Sequence, residues 1–493
     1  MKTLNMLAID LGASSGRAII GSLQNGRLSL QEVHRFSNGP QEQNGELFWD
    51  YESLEKELIS GLEKALATGI KLDGISIDTW GVDYVFFDRT TRKMRRRPYN
   101  YRDSRTLRSS KKLWETITPA ELYRETGIQC MTLNTIYQLL AHQQDHPEDF
   151  ENSIFLPIPD ALALIFGGDF TAEYTHCSTF NLLDPKSRDW HWGLIDRIGL
   201  PRSIFPEIVP PASGNGMLKP ELCKRFNVAP IPLYKCGSHD TASAVLAVPA
   251  PPQGEWAYVS AGTWALLGAE TDAPVLTSES EKANITNEGG VGGKIRFLTN
   301  IMGSWLFQEL RRVWNESGKN VSFNDIEEMA RSQEMCRYFI NPNSAEFASP
   351  GDMPQNIRNF CARSRQSDSI SDAEVARTVY DSLALCFRSK LELIESQLGV
   401  KYQYLNIVGG GTKDRFLMQL AASALNRKVI TGPVEATAAG NILAQGIAAG
   451  EITDIRAARE IVRNSFALET FEPDADDAAV YAQAFERFRK ITE

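Results

Sequence analysis

The segment LAIDLGASSGRAIIG, residues 7–21, joins two apolar runs through a turn of small residues. The first run delivers Asp10 to its end, and the second begins after Gly16, which predicts two strands connected by a tight turn. Small side chains leave backbone N–H groups and hydroxyls of the turn uncovered, so they can bind phosphate oxygens, and Asp10 can hold a divalent cation or its waters. The segment matches neither GxxxxGK[ST] nor GxGxxG. A glycine-rich turn capped by an aspartate is the alternative.

The segments around this turn predict an α/β sheet. Apolar runs bounded by turn residues predict N-terminal strands at Leu4–Ile9, Arg17–Leu23, Arg27–Phe36 and Gly74–Asp78. Leucines at 54, 58, 62 and 66 follow the helical period, and Asp50 is a suitable N-cap for that helix. In the second half, the predicted strands are Glu255–Ser260, Trp264–Ala269, Tyr404–Val408 and Lys428–Ile430. The predicted helices there begin at the capping box of Ser371 and Glu374, near Phe416 and at Ala436. Alternating strands and helices indicate a sheet covered on its faces.

The length of 493 residues allows two or three domains. YVSAGTWALLG (258–268) repeats the strand, turn and strand pattern of residues 7–21, which suggests two domains of one design. Between the two patterns, residues 248–254 contain three prolines and a glycine and form the best candidate linker. We therefore expect an N-terminal domain at 1–247 and a C-terminal domain at 253–493.

The composition limits the class of protein. Acidic residues outnumber basic ones by 62 to 52, and the formal net charge of −10 excludes a chain-wide basic surface for nucleic acid. The sequence offers no signal peptide and no run of about 18 apolar residues for a membrane helix. Seven cysteines without a CxxC pair predict scattered reduced thiols and a cytoplasmic protein. The basic run RTTRKMRRRP (89–98) is interpreted as a solvated hairpin arm.

The segment GSHDTASA (237–244) is a candidate catalytic motif. Asp240 could act as a general base, with His239 and Thr241 binding the substrate. The alternative is that Asp240 is the N-cap of the following helix. A Ser/His/Asp triad is not supported, because adjacent side chains diverge and no GxSxG motif occurs.

Further polar segments also lie at predicted strand ends, where α/β sheets usually bind ligands. SAGTW (260–264) places Thr263 in a turn like that of the first loop, and GGGTK (409–413) lets an anion approach the backbone before a helix. TWGVD (79–83) combines an aromatic ring, a glycine and an acid, which suits a polyol. Asn300 and Gln308 are amides in a helix-like stretch. Together these segments predict an enzyme that binds ATP across a cleft and closes to exclude water.

The motifs resemble those of the FGGY-type carbohydrate kinases, in the actin/hexokinase/Hsp70 superfamily. The matching blocks, in the order of that family, are AIDLGASSGR (8–17), SIDTWGVDY (76–84), YRDSR (101–105), SHDTASAV (238–245), SAGTW (260–264), ANITNEGG (283–290), NIMGSWLFQ (300–308), YFINPN (338–343), IVGGGTKD (407–414) and GPVEATAAGNI (432–442). The blocks SIDTWGVDY and ITNEGG resemble the branch of the family that acts on L-rhamnulose. The family signature is poorly matched around residues 159–168.

The resemblance implies two α/β domains of the ribonuclease-H-like fold flanking a nucleotide and sugar cleft, with a hinge near residues 246–254. It implies transfer of a phosphoryl group from Mg-ATP to the 1-hydroxyl of L-rhamnulose, with no nucleic acid, membrane or obligate protein partner. The roles carried over are Asp240 as catalytic base and Asp10 as the Mg²⁺ residue, through water. The implied nucleotide contacts are Ala13, Ser14, Ser15, Gly16, Arg17, Thr263, Gln308 and Gly410. The implied substrate contacts are Gly81, His239, Asp240, Thr241 and Asn300.

Two alternatives stay open at this stage. The first is a kinase for another ketose, such as L-fuculose or L-xylulose. The second is a non-sugar ATPase of the same superfamily, such as a chaperone or a filament subunit. A chaperone would need a further peptide-binding domain, and a filament subunit gives no reason for TWGVD and SHDT at strand ends.

Overall fold

The computed structural model describes residues 3–492, and the chain divides into two compact units. Unit 1 consists of Met1–Ala247, Glu270–Phe297 and Ala436–Phe466. Unit 2 consists of Val248–Ala269, Leu298–Glu435 and Ala467–Glu493. The chain first passes from unit 1 to unit 2 after Ala247, at the start of the proline-rich segment 248–254. Neither unit is a continuous stretch of sequence, because two segments of the second half belong to unit 1.

The strands are, in chain order, β1 Leu4–Leu11, β2 Ser15–Gln24, β3 Arg27–Ser37, β4 Pro40–Gln43, β5 Glu46–Trp49, β6 Gly74–Thr79, β7 Tyr84–Asp88, β8 Ser153–Pro157, β9 Thr171–Glu173, β10 Leu183–Asp184, β11 Asp189–Trp190, β12 Glu207–Val209, β13 Ser213–Met217, β14 Pro232–Lys235, β15 Trp256–Ala261, β16 Trp264–Thr271, β17 Thr286–Gly289, β18 Ile295–Met302, β19 Tyr404–Val408, β20 Lys428–Thr431 and β21 Thr470–Phe471.

The helices are α1 Tyr51–Ala67, α2 Thr106–Trp114, α3 Pro119–Thr126, α4 Thr135–Asp145, α5 Ile158–Phe166, α6 Tyr174–Cys177, α7 Trp192–Arg197, α8 Pro220–Phe226, α9 Asp240–Leu246, α10 Ser278–Lys282, α11 Trp305–Glu316, α12 Phe323–Arg331, α13 Met353–Arg363, α14 Asp372–Leu398, α15 Arg415–Leu425, α16 Ala436–Ala448, α17 Ile455–Ser465 and α18 Ala475–Thr492. No helix in residues 3–492 is long and apolar enough to cross a membrane.

The main sheet of unit 1 has the strand order β13-β14-β6-β1-β2-β3. The hairpin predicted from residues 7–21 is confirmed, because β1 and β2 pair antiparallel through the small-residue turn. β1 also pairs parallel with β6, in a register that sets Asp10 opposite Asp78. Parallel strands end at the same edge of a sheet, so both carboxylates lie at that edge.

Helix α1 covers this sheet as its sequence predicts. The side chain of Asp50 accepts a hydrogen bond from the backbone N–H of Ser53 at 3.0 Å, which satisfies one of the unpaired donors of the first turn. The leucines of the helical stripe face the core, and Leu54, Leu58 and Leu62 are buried. Burying each such side chain contributes about 1.5–3 kcal/mol, more than the N-cap does.

Six strands, most of whose residues belong to unit 2, lie in the order β18-β16-β15-β19-β20-β21. β15 and β16 form the second predicted hairpin, and β15 pairs parallel with β19. The capping box predicted for α14 is present, since Ser371 and Glu374 exchange hydrogen bonds. Gly399 ends this helix in the left-handed conformation, with φ +65°.

The basic run 89–98 is a hairpin arm that is largely exposed, as its sequence predicts. Two of its arginines form ion pairs with neighbouring acids, Arg95 with Asp88 at 2.6 Å and Arg96 with Asp149 at 2.6 Å. One local interpretation was wrong. Asn300 lies in strand β18 and not in a helix, because the surrounding apolar residues are buried in a sheet. All seven cysteines are free thiols, five of them buried.

Helix α16 lies against α9 with almost no space between the two backbones. A Cβ atom on Gly440 would stand 1.7 Å from the carbonyl oxygen of Ser243. The absence of a side chain is therefore a steric requirement of this helix pair. One turn further, Gln445 of α16 donates to the carbonyl of Leu7 in β1 at 3.0 Å, so the same helix is fixed on the central strand.

We predict that Gly440→Ala destabilises unit 1 by about 1–3 kcal/mol, because an added methyl group forces two backbones apart. The midpoint of thermal unfolding measures the effect. Gly39→Ala is the matched control, since a Cβ at Gly39 meets no described atom within 4 Å, and it should change stability by less than about 0.5 kcal/mol. Equal midpoints for the two variants would contradict the close packing of α9 on α16.

Candidate active site

Three carboxylates of unit 1 are brought together at the ends of three elements. Asp10 is near the end of β1, Asp78 is opposite it on β6, and Asp240 is the first residue of α9. Asp10 is 8% exposed and Asp78 is 0% exposed, whereas the side chain of Asp240 is 30% exposed. Asp240 is therefore the member of the group that a ligand can reach most easily.

Burial and neighbouring carboxylates raise the pKa values of Asp10 and Asp78. Burial raises the pKa of Asp10 to about 6; Arg17, whose guanidinium is 3.9 Å from the carboxylate, lowers it, and the charge of Asp240 raises it. Burial, followed by the charge of Asp10, raises the pKa of Asp78 well above its ordinary value. Nearby negative charges destabilise one another in a buried site. The arrangement therefore gains stability from any cation that approaches it.

The donor set fits a divalent cation held through water. Oδ2 of Asp78 accepts from Asn441 at 2.6 Å, but its Oδ1 is buried and has no hydrogen-bond partner among the described residues. Carboxylate oxygens are the ligands that Mg²⁺ prefers, and Mg²⁺ usually keeps several of its waters. Within residues 3–492, no group of three or more His, Cys, Asp or Glu is arranged to hold a metal ion directly. Water-mediated contact from Asp10 agrees with both observations.

Hydrogen bonds and packing hold one side of the turn between β1 and β2, and its other side is exposed. The N–H of Gly12 donates to the carbonyl of Ser15 at 2.9 Å, and Asn38 donates from its side chain to the carbonyl of Gly12 at 2.9 Å. A Cβ on Gly16 would stand 2.2 Å from the ring of Phe36, so this glycine is required by packing. Ser14 is exposed at the tip, where a ligand can contact it.

The segment around Asp240 is held by contacts that the sequence did not reveal. Glu173, fully buried, accepts from the N–H of Ser238 at 3.0 Å, and the N–H of Thr79 donates to the carbonyl of Ser238 at 2.9 Å. Burial raises the pKa of Glu173 to about 7. A lone acid between apolar residues carried no periodic signal that could have identified this role.

Asp240 is not the N-cap of α9, so the alternative interpretation is wrong. The N-cap position belongs to His239, whose side chain makes no capping hydrogen bond. Oδ1 of Asp240 accepts instead from the N–H of Thr241 at 2.6 Å and from its hydroxyl at 3.2 Å. Thr241 therefore orients the carboxylate.

Four of the predicted substrate residues are brought together in unit 1. Nε2 of His239 is 3.5 Å from Oδ1 of Asp240, and a Cβ on Gly81 would stand 3.1 Å from the same Nε2. Thr241 follows directly in the chain. The sequence did not identify Glu288 and Arg296, which contact the other ring nitrogen of His239.

In unit 2, three of the predicted residues, Thr263, Gln308 and Asn300, fall into two places. The turn of β15 and β16 carries Thr263, whose carbonyl accepts from the N–H of Gly303 at 3.2 Å. Ser304 links this turn to Gln308, because its hydroxyl donates to Gly262 at 2.8 Å and accepts from Gln308 at 3.0 Å. Asn300 lies apart from this link on β18, where its carbonyl accepts from Asn343 at 2.9 Å.

The triple glycine of unit 2 packs on the end of β15. Cβ atoms would stand 2.8 Å from the carbonyl oxygen of Ala261 at Gly409, and 2.7 Å from the Cβ of Ala261 at Gly411. A Cβ at Gly410 meets no described atom within 4 Å. Packing thus requires the outer two glycines but not Gly410, which leaves its surface for a ligand.

Solved structures of sugar kinases share this architecture. The chain is similar to the ligand-bound xylulose kinase of Lactobacillus acidophilus, with a TM-score of 0.80 over 99% of this chain and 97% of the other at 17% identity. It is also similar to the glycerol kinase of Plasmodium falciparum with ADP, with a TM-score of 0.77 over 99% and 98% at 16% identity. The predicted two-domain α/β fold is confirmed, and it is the fold of this class of carbohydrate kinases.

Sequence comparison identifies the family within this class of kinases. Residues 5–247 match the N-terminal domain of the FGGY family of carbohydrate kinases, and residues 257–449 match its C-terminal domain. A relative named rhamnulokinase from Bacteroides thetaiotaomicron is 38% identical over 98% of this chain and 99% of its own. A second of that name, from Bacillus subtilis, is 36% identical over 97% and 98%. The chain belongs to the FGGY family of carbohydrate kinases, which confirms the predicted family and implies ATP as the co-substrate.

We predict that Asp10→Asn makes unit 1 more stable at neutral pH while it removes kinase activity. A folded pKa of about 6, above the ordinary 3.8, means that the folded state binds more protons than the unfolded state between these values. Stability therefore falls as the pH rises through this window and stays low above it. Removing the charge should raise the free energy of unfolding by about 1–3 kcal/mol at about pH 7.5. The lost contact to Arg17 offsets some of this gain.

Thermal unfolding midpoints at about pH 4 and about pH 7.5 measure this difference. Asp50→Asn is the matched control, because an asparagine still caps α1 and its stability should be nearly unchanged. A variant at Asp10 that is no more stable than the wild type at neutral pH would contradict the cost of ionising Asp10 in this buried position.

Proposed function

We propose that the protein transfers the γ-phosphoryl group of ATP to the 1-hydroxyl of L-rhamnulose, forming L-rhamnulose 1-phosphate and ADP in the cytoplasmic catabolism of L-rhamnose. The observation that carries the proposal is the identity of 38% across 98% of this chain to a relative named rhamnulokinase. The geometry of unit 1 is compatible with it, since an accessible carboxylate lies beside groups that can bind a polyol.

Asp240 is the proposed base. Its Oδ1 is engaged by the N–H and hydroxyl of Thr241, which holds the carboxylate in one orientation. The carboxylate takes the proton of the sugar 1-hydroxyl as that oxygen forms a bond to the γ-phosphorus, and the bond from the γ-phosphorus to the bridging oxygen of ADP breaks. Such a transfer requires mostly positioning and charge stabilisation, because the protein forms no covalent bond.

We assign the remaining contacts by residue. Asp10 holds Mg²⁺ through water; when bound, the ion offsets the negative charge of the phosphates. The substrate contacts are Gly81, His239, Asp240, Thr241 and Asn300. The nucleotide contacts are Ala13, Ser14, Ser15, Gly16 and Arg17 in unit 1 and Thr263, Gln308 and Gly410 in unit 2. The support is local: exposure at Ser14 and open space at Gly410.

ADP release measured with Mg-ATP and a panel of ketoses tests the substrate. We expect L-rhamnulose to give the highest kcat/KM, above L-fuculose and L-xylulose. If another ketose gives the highest value, the assignment to L-rhamnulose is wrong and the kinase class survives. No phosphoryl transfer to any ketose would overturn the proposed function itself.

The same assay tests the base. Asp240→Asn should lower kcat by about 10²–10⁴-fold, the usual contribution of a general base, while calorimetry still detects sugar binding. Asp476→Asn is the matched control, because Asp476 also lies in the first turn of a helix but is exposed on α18 of unit 2. Wild-type activity in the Asp240 variant would remove the residue from this role.

A second prediction concerns the nucleotide. Gly410→Ala should raise the KM for ATP by about tenfold, the effect of one disturbed hydrogen bond or contact, without changing the unfolding midpoint. Gly409→Ala should instead lower the midpoint, because Gly409 has φ +92° and faces Ala261 at 2.8 Å. An unchanged KM in a folded Gly410 variant would exclude this glycine from the nucleotide site.

A further inference from the structure

His239 is enclosed by three charged groups of unit 1. Its Nδ1 is 3.0 Å from Nη2 of Arg296 and 3.5 Å from Oε2 of Glu288. Its Nε2 is 3.5 Å from Oδ1 of Asp240. One more ring is close, that of His176, with 6.2 Å between the centroids. Which ring nitrogen of a neutral His239 carries the proton therefore depends on the group that Nδ1 contacts.

The contact to Arg296 is the one that determines the tautomer. A guanidinium is always protonated and can only donate, so a ring nitrogen at 3.0 Å from it must accept. Glu288 is farther from Nδ1, and its Oε2 is paired with the same Nη2 at 3.1 Å. In a neutral imidazole, acceptance at Nδ1 leaves the proton on Nε2.

Arg296 is itself fixed. Its side chain is 0% exposed, and its Nε donates to the carbonyl of Gly289 at 2.7 Å. Burial opposes ionisation of Glu288, but the charge of Arg296 and the contacts to Arg296 and His239 together outweigh it and hold the pKa of Glu288 below its ordinary value. The pair thus stays ionised, and a buried pair that stays ionised keeps a defined geometry.

We propose, on the basis of the function proposed above, that Arg296 and Glu288 are positioning residues that hold His239 neutral with its proton on Nε2, so that His239 donates a hydrogen bond to a ketose oxygen beside the base Asp240. Gly81 leaves room for that oxygen, because a side chain there would stand against Nε2. The opposite tautomer would present a lone pair to the carboxylate of Asp240 and would provide no donor to the sugar.

The first test uses the unmodified, ligand-free protein and does not depend on its substrate. ¹⁵N NMR of histidine-labelled protein reports both ring nitrogens of its six histidines, and the spectrum of His239→Gln assigns the signals of His239. We expect an unprotonated Nδ1 and a protonated Nε2 from about pH 7.5 to about pH 8.5, where an ordinary imidazole is neutral. A protonated Nδ1 in that range would overturn the proposal, whether or not the protein phosphorylates L-rhamnulose.

The second test measures the consequence for binding. Arg296→Met leaves Nδ1 facing Glu288, so the proton moves to Nδ1 and the KM for L-rhamnulose should rise by about tenfold at about pH 8, the cost of one lost hydrogen bond. At lower pH the loss should shrink, because both ring nitrogens of a protonated imidazole are donors and Nε2 again donates. The KM for ATP should stay within about twofold.

Two variants separate this effect from structural damage. Arg296→Lys keeps a charged donor and should recover most of the affinity. Arg459→Met removes an arginine of similar burial that pairs with Glu270 at 2.8 Å and donates to Val245, so it should lower stability without changing the KM for the ketose. An equal rise of KM in the Arg296 and Arg459 variants, or a rise independent of pH, would contradict the proposal. If Arg296→Met does not fold, the NMR of the wild type decides it.

Discussion

The parallel pairing of β1 with β6 places two carboxylates opposite each other, at the register Asp10 to Asp78. Burial is the largest cause that raises the pKa of both carboxyl groups, and the charge of Asp10 further opposes the ionisation of Asp78. Selection for stability alone would favour an apolar residue at one of these two positions. In the function proposed above, the charge that the sheet edge retains serves to hold a cation, or a ligand bearing one, and this role accounts for the stability lost here.

The pairing is held in place from outside the N-terminal half of the sequence. Asn441 of α16 donates to Asp78, Gln445 donates to Asn441 and to the carbonyl of Leu7, and Gly440 allows α16 to approach α9. One helix therefore fixes the position of the carboxylate, the central strand and the helix that begins with Asp240. Since the contacts of α16 with Asp78, Leu7 and Ser243 join residues more than 190 positions apart, they depend on the completed unit and not on local structure.

This difference between local and distant contacts explains what the sequence could predict. Helix α1, the capping box of α14 and both hairpins follow from periodicity, caps and turn residues within a few positions, and the structure confirms them. The motif blocks predicted the family, because a matched block identifies a family and secondary-structure propensities do not. No local feature of the sequence indicates that residues 270–297 and 436–466 belong to unit 1. Glu173, Glu288 and Arg296 were missed for the same reason, because a single buried charge gives no pattern until its partner is known.

The three acidic side chains of the site differ in exposure, and the difference separates their possible roles. Asp78 is sealed from solvent and bound to Asn441, so it cannot meet a sugar hydroxyl. Asp10 is almost as deeply buried but lies beside Arg17 and the open turn, where water around a cation can reach it. Asp240 is the accessible one, oriented by Thr241. A base must lie within hydrogen-bond reach of the proton it removes, so accessibility alone favours Asp240. His239, whose Nδ1 is taken by Arg296, can then serve as a donor without competing for the same proton.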